Sequence, residues 1–136
     1  MDLAKLDMNA LGNEGAWVNI DGPDGRATDL KVKIRGANSD PVRKVTENHN
    51  RRVAEAIKAN KGRDVDFEAL DKERDAALAV ASTIDWSGFE RDGKPLPCTP
   101  ETVKELYMHP GYIWLATQVY AKAQEPDVFL KASAPA

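Results

Sequence analysis

From Ile84 to Glu101 the chain reads Ile84-Asp85-Trp86-Ser87-Gly88-Phe89-Glu90-Arg91-Asp92-Gly93-Lys94-Pro95-Leu96-Pro97-Cys98-Thr99-Pro100-Glu101. No helix runs through two glycines and three prolines so closely spaced. The helical patterns on either side are therefore separate elements joined by a structured junction. Its far end is a helix start: Thr99 supplies a capping hydroxyl, Pro100 takes the first helical position and Glu101 puts an acid in the first turn. Trp86 and Phe89 flank Gly88, and Trp86 is expected to plug the seam between the helical halves, because so large an aromatic contributes substantial burial. Gly88, Gly93, Thr99 and Pro100 shape the connection around it.

Upstream, Ala16-Trp17-Val18-Asn19-Ile20 is β-prone, Asp21-Gly22-Pro23-Asp24-Gly25 is dense in turn residues, and Leu30 to Arg35 alternates apolar and basic. This pattern predicts a β-hairpin with Leu30, Val32 and Ile34 on one face and Lys31, Lys33 and Arg35 on the other. Asn38-Ser39-Asp40-Pro41 offers capping side chains before a helix reaching about residue 60, with Val42, Val45, His49, Val53, Ala56 and Ile57 on its inner stripe. Asp64 or Asp66 caps a second helix, antiparallel to the first, carrying Phe67, Leu70, Ala77, Leu78 and Ala81 inward. Two shorter helices follow the junction, separated by His109-Pro110-Gly111. The expected fold is α+β, an N-terminal β-hairpin packed on a small bundle of about four helices. Residues 16–125 form its single domain. Residues 1–15 are too short and glycine-rich to hold a helix alone and are expected to be a mobile arm; residues 126–136 are expected to be a flexible tail.

A chain of 136 residues with 42% apolar content suffices for one modest core. The 19 basic and 22 acidic residues are interleaved, with a formal charge of −3, which argues against nucleic acid as the main partner because phosphate binding needs a concentrated positive face. Cys98 is the only cysteine, so neither an intramolecular disulfide nor a multi-cysteine zinc motif can be written. No apolar run approaches membrane-spanning length, and a soluble protein of a reducing cytosol is expected.

No reactive constellation emerges. His49 and His109 lie far apart and lack metal-ligand spacing. Cys98 has no orienting third group, and Gly22-Pro23-Asp24-Gly25 lacks the lysine and following helix of a phosphate cradle. The acids of residues 64–75 are interrupted by basic residues and match no calcium loop. The residues therefore predict a non-enzymatic protein with no cofactor and no metal.

Trp86-Ser87-Gly88-Phe89 with Asp92 to Glu101, followed by Leu106-Tyr107-Met108-His109-Pro110 and an aromatic-bearing helix, resembles the tail assembly chaperones of long-tailed bacteriophages. Ile34 to Pro41 leading into an arginine-bearing helix is similar to the strand-to-helix passage of that group, and the resemblance spans about residues 17–130. It implies a non-enzymatic factor in the cytoplasm of the bacterial host that binds the tape-measure protein and the tail-tube protein during tail morphogenesis. It also implies absence from the finished virion.

Such a chaperone covers apolar surface on its partners and needs apolar residues to do so. Phe89 in the junction and Val128, Phe129 and Leu130 beyond the last helix breaker are the expected docking points, with Lys31, Lys33 and Arg35 as a basic edge for an acidic partner. Self-association is compatible with this role. Two alternatives belong to other classes: a structural tail-completion or head-tail connector protein that stays in the virion, and a small nucleic-acid-binding regulator that uses the basic stripe.

Overall fold

The computed structural model describes residues 1–134. In chain order they form a short 3-10 turn (Leu3–Leu6), α1 (Met8–Glu14), β1 (Ala16–Asp21), β2 (Ala27–Ile34), α2 (Asp40–Ala59), α3 (Phe67–Ser82) and β3 (Thr83–Ser87). There follow β4 (Glu90–Arg91), β5 (Lys94–Pro95), α4 (Pro100–Met108), a second 3-10 turn (Pro110–Tyr112), α5 (Ile113–Ala123) and α6 (Pro126–Ser133).

The fold is α+β, and the expected N-terminal hairpin is present as β1 and β2, antiparallel with Val18 opposite Val32 and Ala16 opposite Ile34. A third strand extends it. β3 pairs antiparallel with β2, placing Trp86 opposite Val32, and gives the order β1-β2-β3. Period-two alternation sends Ala16, Val18, Ile20, Val32, Ile34 and Trp86 into the core, where α4, α5 and α6 contribute Val103, Leu106, Leu115, Val119 and Phe129. The opposite face carries Trp17, Lys33 and Asp85 in one cross-strand row.

Among the described residues, six helices replace the expected four or so. The first addition is α1, where a mobile arm was expected. Asp7 caps it by accepting from the Asn9 and Ala10 amides, and its buried Gly12 lies so close to Gly36 that a Cβ would stand 3.3 Å from the Gly36 Cα. Tertiary contact supplies what seven residues lack alone. α1 in turn caps α2: the Asn13 side-chain oxygen accepts from the Asp40 amide at 2.7 Å, and Asn9 donates to the Asp40 carboxylate at 2.9 Å. Ser39, which sits at the N-cap within the expected capping segment, makes no such bond, and its buried hydroxyl has no partner.

The second addition is α6, where a flexible tail was expected. Phe129 is 2% exposed and fills the space over Gly36, so the segment is a docked helix. Pro135 and Ala136 of the predicted tail lie outside the described residues.

α2 and α3 form the expected antiparallel pair, and Asp66 caps α3 through the Ala69 amide at 3.0 Å. The loop end of the pair stands away from the core, with no residue from 43 to 78 buried, while the C-terminal part of α3 packs on α4 and α5. Phe67, expected on the inner stripe, is 47% exposed, and Ala77 is exposed as well.

Candidate partner-binding surface

The junction is built around Trp86. Its ring lies flat on Phe89, with centroids 4.5 Å apart and planes 4° from parallel, and its indole N–H donates to the Leu96 carbonyl at 2.7 Å. Gly88 makes the return possible: at φ +87° it packs so tightly that a Cβ would stand 2.6 Å from the Asp29 carbonyl oxygen. Asp92 and Gly93 both have positive φ and close the β4–β5 ribbon, the turn chemistry expected of an Asp-Gly pair. Thr99 then launches α4 in a capping box, accepting from the Thr102 amide while the Thr102 hydroxyl accepts from the Thr99 amide at 3.0 Å. Gly88, Gly93, Thr99 and Pro100 shape this connection, while Trp86, expected at a seam between helical halves, lies on β3 and ties the sheet to the ribbon.

This ribbon stands beside the second 3-10 turn and the start of α5, and a groove of about 380 Å³ opens between them. Leu30, Leu96, Leu106, Tyr112, Trp114 and the edge of Phe89 line it, with Glu90, Arg91 and Asp92 at its rim. The Arg91 guanidinium is held by Glu105 at 2.8 Å, which fixes one wall. Tyr112 and Trp114 meet edge to face at 6.5 Å, and the Trp114 indole donates to the Gly111 carbonyl at 3.0 Å. His109 organises this turn by accepting the Gly111 amide on Nδ1 at 2.9 Å. Tyr112 is 37% exposed at the groove, and Ile113, the next residue but not part of the groove lining, is 61% exposed.

The residues predicted as docking points divide differently. Phe89 and Phe129 are 7% and 2% exposed. One face of Phe89 is taken by its stack on Trp86, which leaves its edge to line the groove, and Phe129 is seated over Gly36 with Val128 and Leu130 half-buried beside it. The basic stripe is also broken. Lys31 is exposed and Lys33 half-buried on the open sheet face, but Arg35 spends its guanidinium on the Ala81 carbonyl at the end of α3, at 3.0 Å. Tyr112, Trp114, Leu30 and Leu96, which line the groove, are not among the expected docking points. The legible signal was Asp92-Gly93, which marks a hairpin and hence a wall facing the aromatic turn.

Burial, followed by the nearby Asp85 carboxylate, pushes the Cys98 thiol up to about 11, the reverse of what a nucleophile needs. Burial pushes the Tyr107 phenol well above its ordinary value, although its bond with the Thr83 hydroxyl at 2.8 Å opposes the shift. His49 lies 3.4 Å from Asp71, an ion pair when protonated. Among the described residues, no three His, Cys, Asp or Glu side chains are grouped to hold a metal ion, and no helix is long and apolar enough to cross a membrane.

Comparison with known proteins gives no match: no family model, no curated protein and no solved structure matches this chain.

Proposed function

We propose that this protein is a phage tail assembly chaperone that binds the tape-measure protein, and with it the tail-tube protein, before the tail is complete. The observation that carries the reading is the apolar groove between the β4–β5 ribbon and α5, framed by Leu96, Tyr112 and Trp114, with exposed Ile113 next in the chain. Its walls are fixed by the Trp86–Leu96 and Arg91–Glu105 bonds, so the surface is preformed and a partner is received with little reordering. A groove of this chemistry accepts the apolar stripe of a helix, which an unfinished tape-measure protein would otherwise leave open to self-association. The junction sequence that resembles the tail assembly chaperones is the segment that builds this groove.

Affinity capture with the tape-measure protein of the same phage, together with mass spectrometry of purified virions, tests the proposal. The expected result is capture of the tape-measure protein and absence of this chain from the virion. Presence in the virion at stoichiometric amounts favours a tail-completion or connector protein. Salt-sensitive retention on DNA without tape-measure capture favours a nucleic-acid-binding regulator.

A further inference from the structure

The groove between the β4–β5 ribbon and α5 has two unlike walls around an aliphatic lining of Leu30, Leu96, Leu106 and Leu115. The ribbon wall carries Glu90, Arg91 and Asp92, all three exposed. Arg91 is already taken, because its guanidinium lies 2.8 Å from the Glu105 carboxylate of α4. Glu90 and Asp92 form no ion pair among the described residues. Lys94 stands across the ribbon from Arg91, pairs with neither acid and is not part of the lining. Even with Lys94 counted, the wall is net negative.

The other wall is aromatic. Tyr112 is 37% exposed and meets Trp114 edge to face at 6.5 Å. The face of an aromatic ring is negative, so it attracts cations and disfavours carboxylates. Both walls therefore favour the same kind of side chain, an apolar stem that ends in a cation. Lysine and arginine are built that way: the stem lies along apolar surface while the head stays at the rim.

We propose, on the reading that this groove receives the partner, that its occupant is an amphipathic helical segment whose apolar stripe is bordered by lysine or arginine. The apolar anchors sit on the leucines, and the cations stand between the Glu90 and Asp92 carboxylates and the Tyr112 ring. Under the chaperone role that segment belongs to the tape-measure protein. The rim charges are solvated, so they select among apolar segments rather than supply most of the affinity.

Two synthetic helical peptides test this, titrated into the full chain by calorimetry. They share one leucine stripe at the i, i+3 and i+7 positions that a groove reads and differ only in the residues bordering it, lysine in one and glutamate in the other. The lysine peptide should bind about tenfold more tightly at low salt, and the gap should narrow as salt rises. The Glu90→Gln, Asp92→Asn variant, whose asparagine tolerates the positive φ of Asp92, should lose most of that gap. Tyr112→Ala should weaken the lysine peptide more than the glutamate peptide. Equal binding of the two peptides to the wild type overturns the proposal and leaves the groove standing as a docking surface. A lysine preference that survives both variants also overturns it, because the cations are then held elsewhere on the chain. Binding of neither peptide removes the groove as a helix-docking surface, and the basic preference with it.

Discussion

The Trp86 ring stacks flat against Phe89 at 4.5 Å while its indole N–H reaches forward to the Leu96 carbonyl at 2.7 Å. A core strand and the base of the outer ribbon are thereby clamped by one side chain. The Trp86→Ala variant loses the stack, the hydrogen bond and most of the volume at once. It should unfold about 3–5 kcal/mol more easily in a urea titration, the range for a buried large aromatic. A Trp86→Phe variant, which keeps the ring but not the N–H, should lose about 1–2 kcal/mol through the unsatisfied Leu96 carbonyl.

Phe129 belongs with the core. The Phe129→Ala variant should cost about 3–5 kcal/mol of stability and release α6, in contrast to the pure docking loss expected from the sequence. Thermal denaturation by circular dichroism measures this. An unchanged melting temperature would place the ring outside the core.

Ser39 offers a prediction of the opposite sign. Its hydroxyl is buried with no partner, so the Ser39→Ala variant should be as stable as the wild type or gain up to about 1 kcal/mol. A loss of stability in urea would mean that the hydroxyl is hydrogen-bonded after all.

The α1–α2 clasp should be sensitive to acid. The hydrogen bond from Asn9, assisted by Asn13 and the nearby Arg43 and Lys44, outweighs partial desolvation and holds Asp40 below its ordinary 3.8. A depressed carboxylate contributes stability that is full above its unfolded value and disappears as pH falls through the folded value. Protection of the α1 amides, taken as exchange relative to the intrinsic rate at each pH, should therefore fall below about pH 4. The Asp40→Asn variant should show fast exchange already at neutral pH.

Much of the fold was legible because its signals are local. Asp-Gly turns, the Thr99-Pro100-Glu101 start and the alternation of Leu30, Val32 and Ile34 act over a few residues and appear where expected. What escaped depends on distant partners. β3 exists because β2 offers it an edge some fifty residues upstream, and Ile84-Asp85-Trp86 reads as junction until that edge is known. α1 and α6 are each too short to form alone and are helical because Gly12 and Phe129 close on Gly36. The expected docking residues divide for a related reason: Phe89 keeps an edge on the groove, whereas only packing reveals that Phe129 is seated in the core over Gly36. The groove escaped because its walls come from the ribbon and α5, which meet only in three dimensions.

The most direct test of the proposed chaperone role is co-expression of this chain with the tape-measure protein of the same phage, measuring how much tape-measure protein stays soluble. Wild-type protein should raise the soluble fraction severalfold, and a Tyr112→Asp, Ile113→Asp variant that keeps the wild-type melting curve should abolish the gain. Tape-measure protein whose solubility is the same with and without this chain would contradict the account.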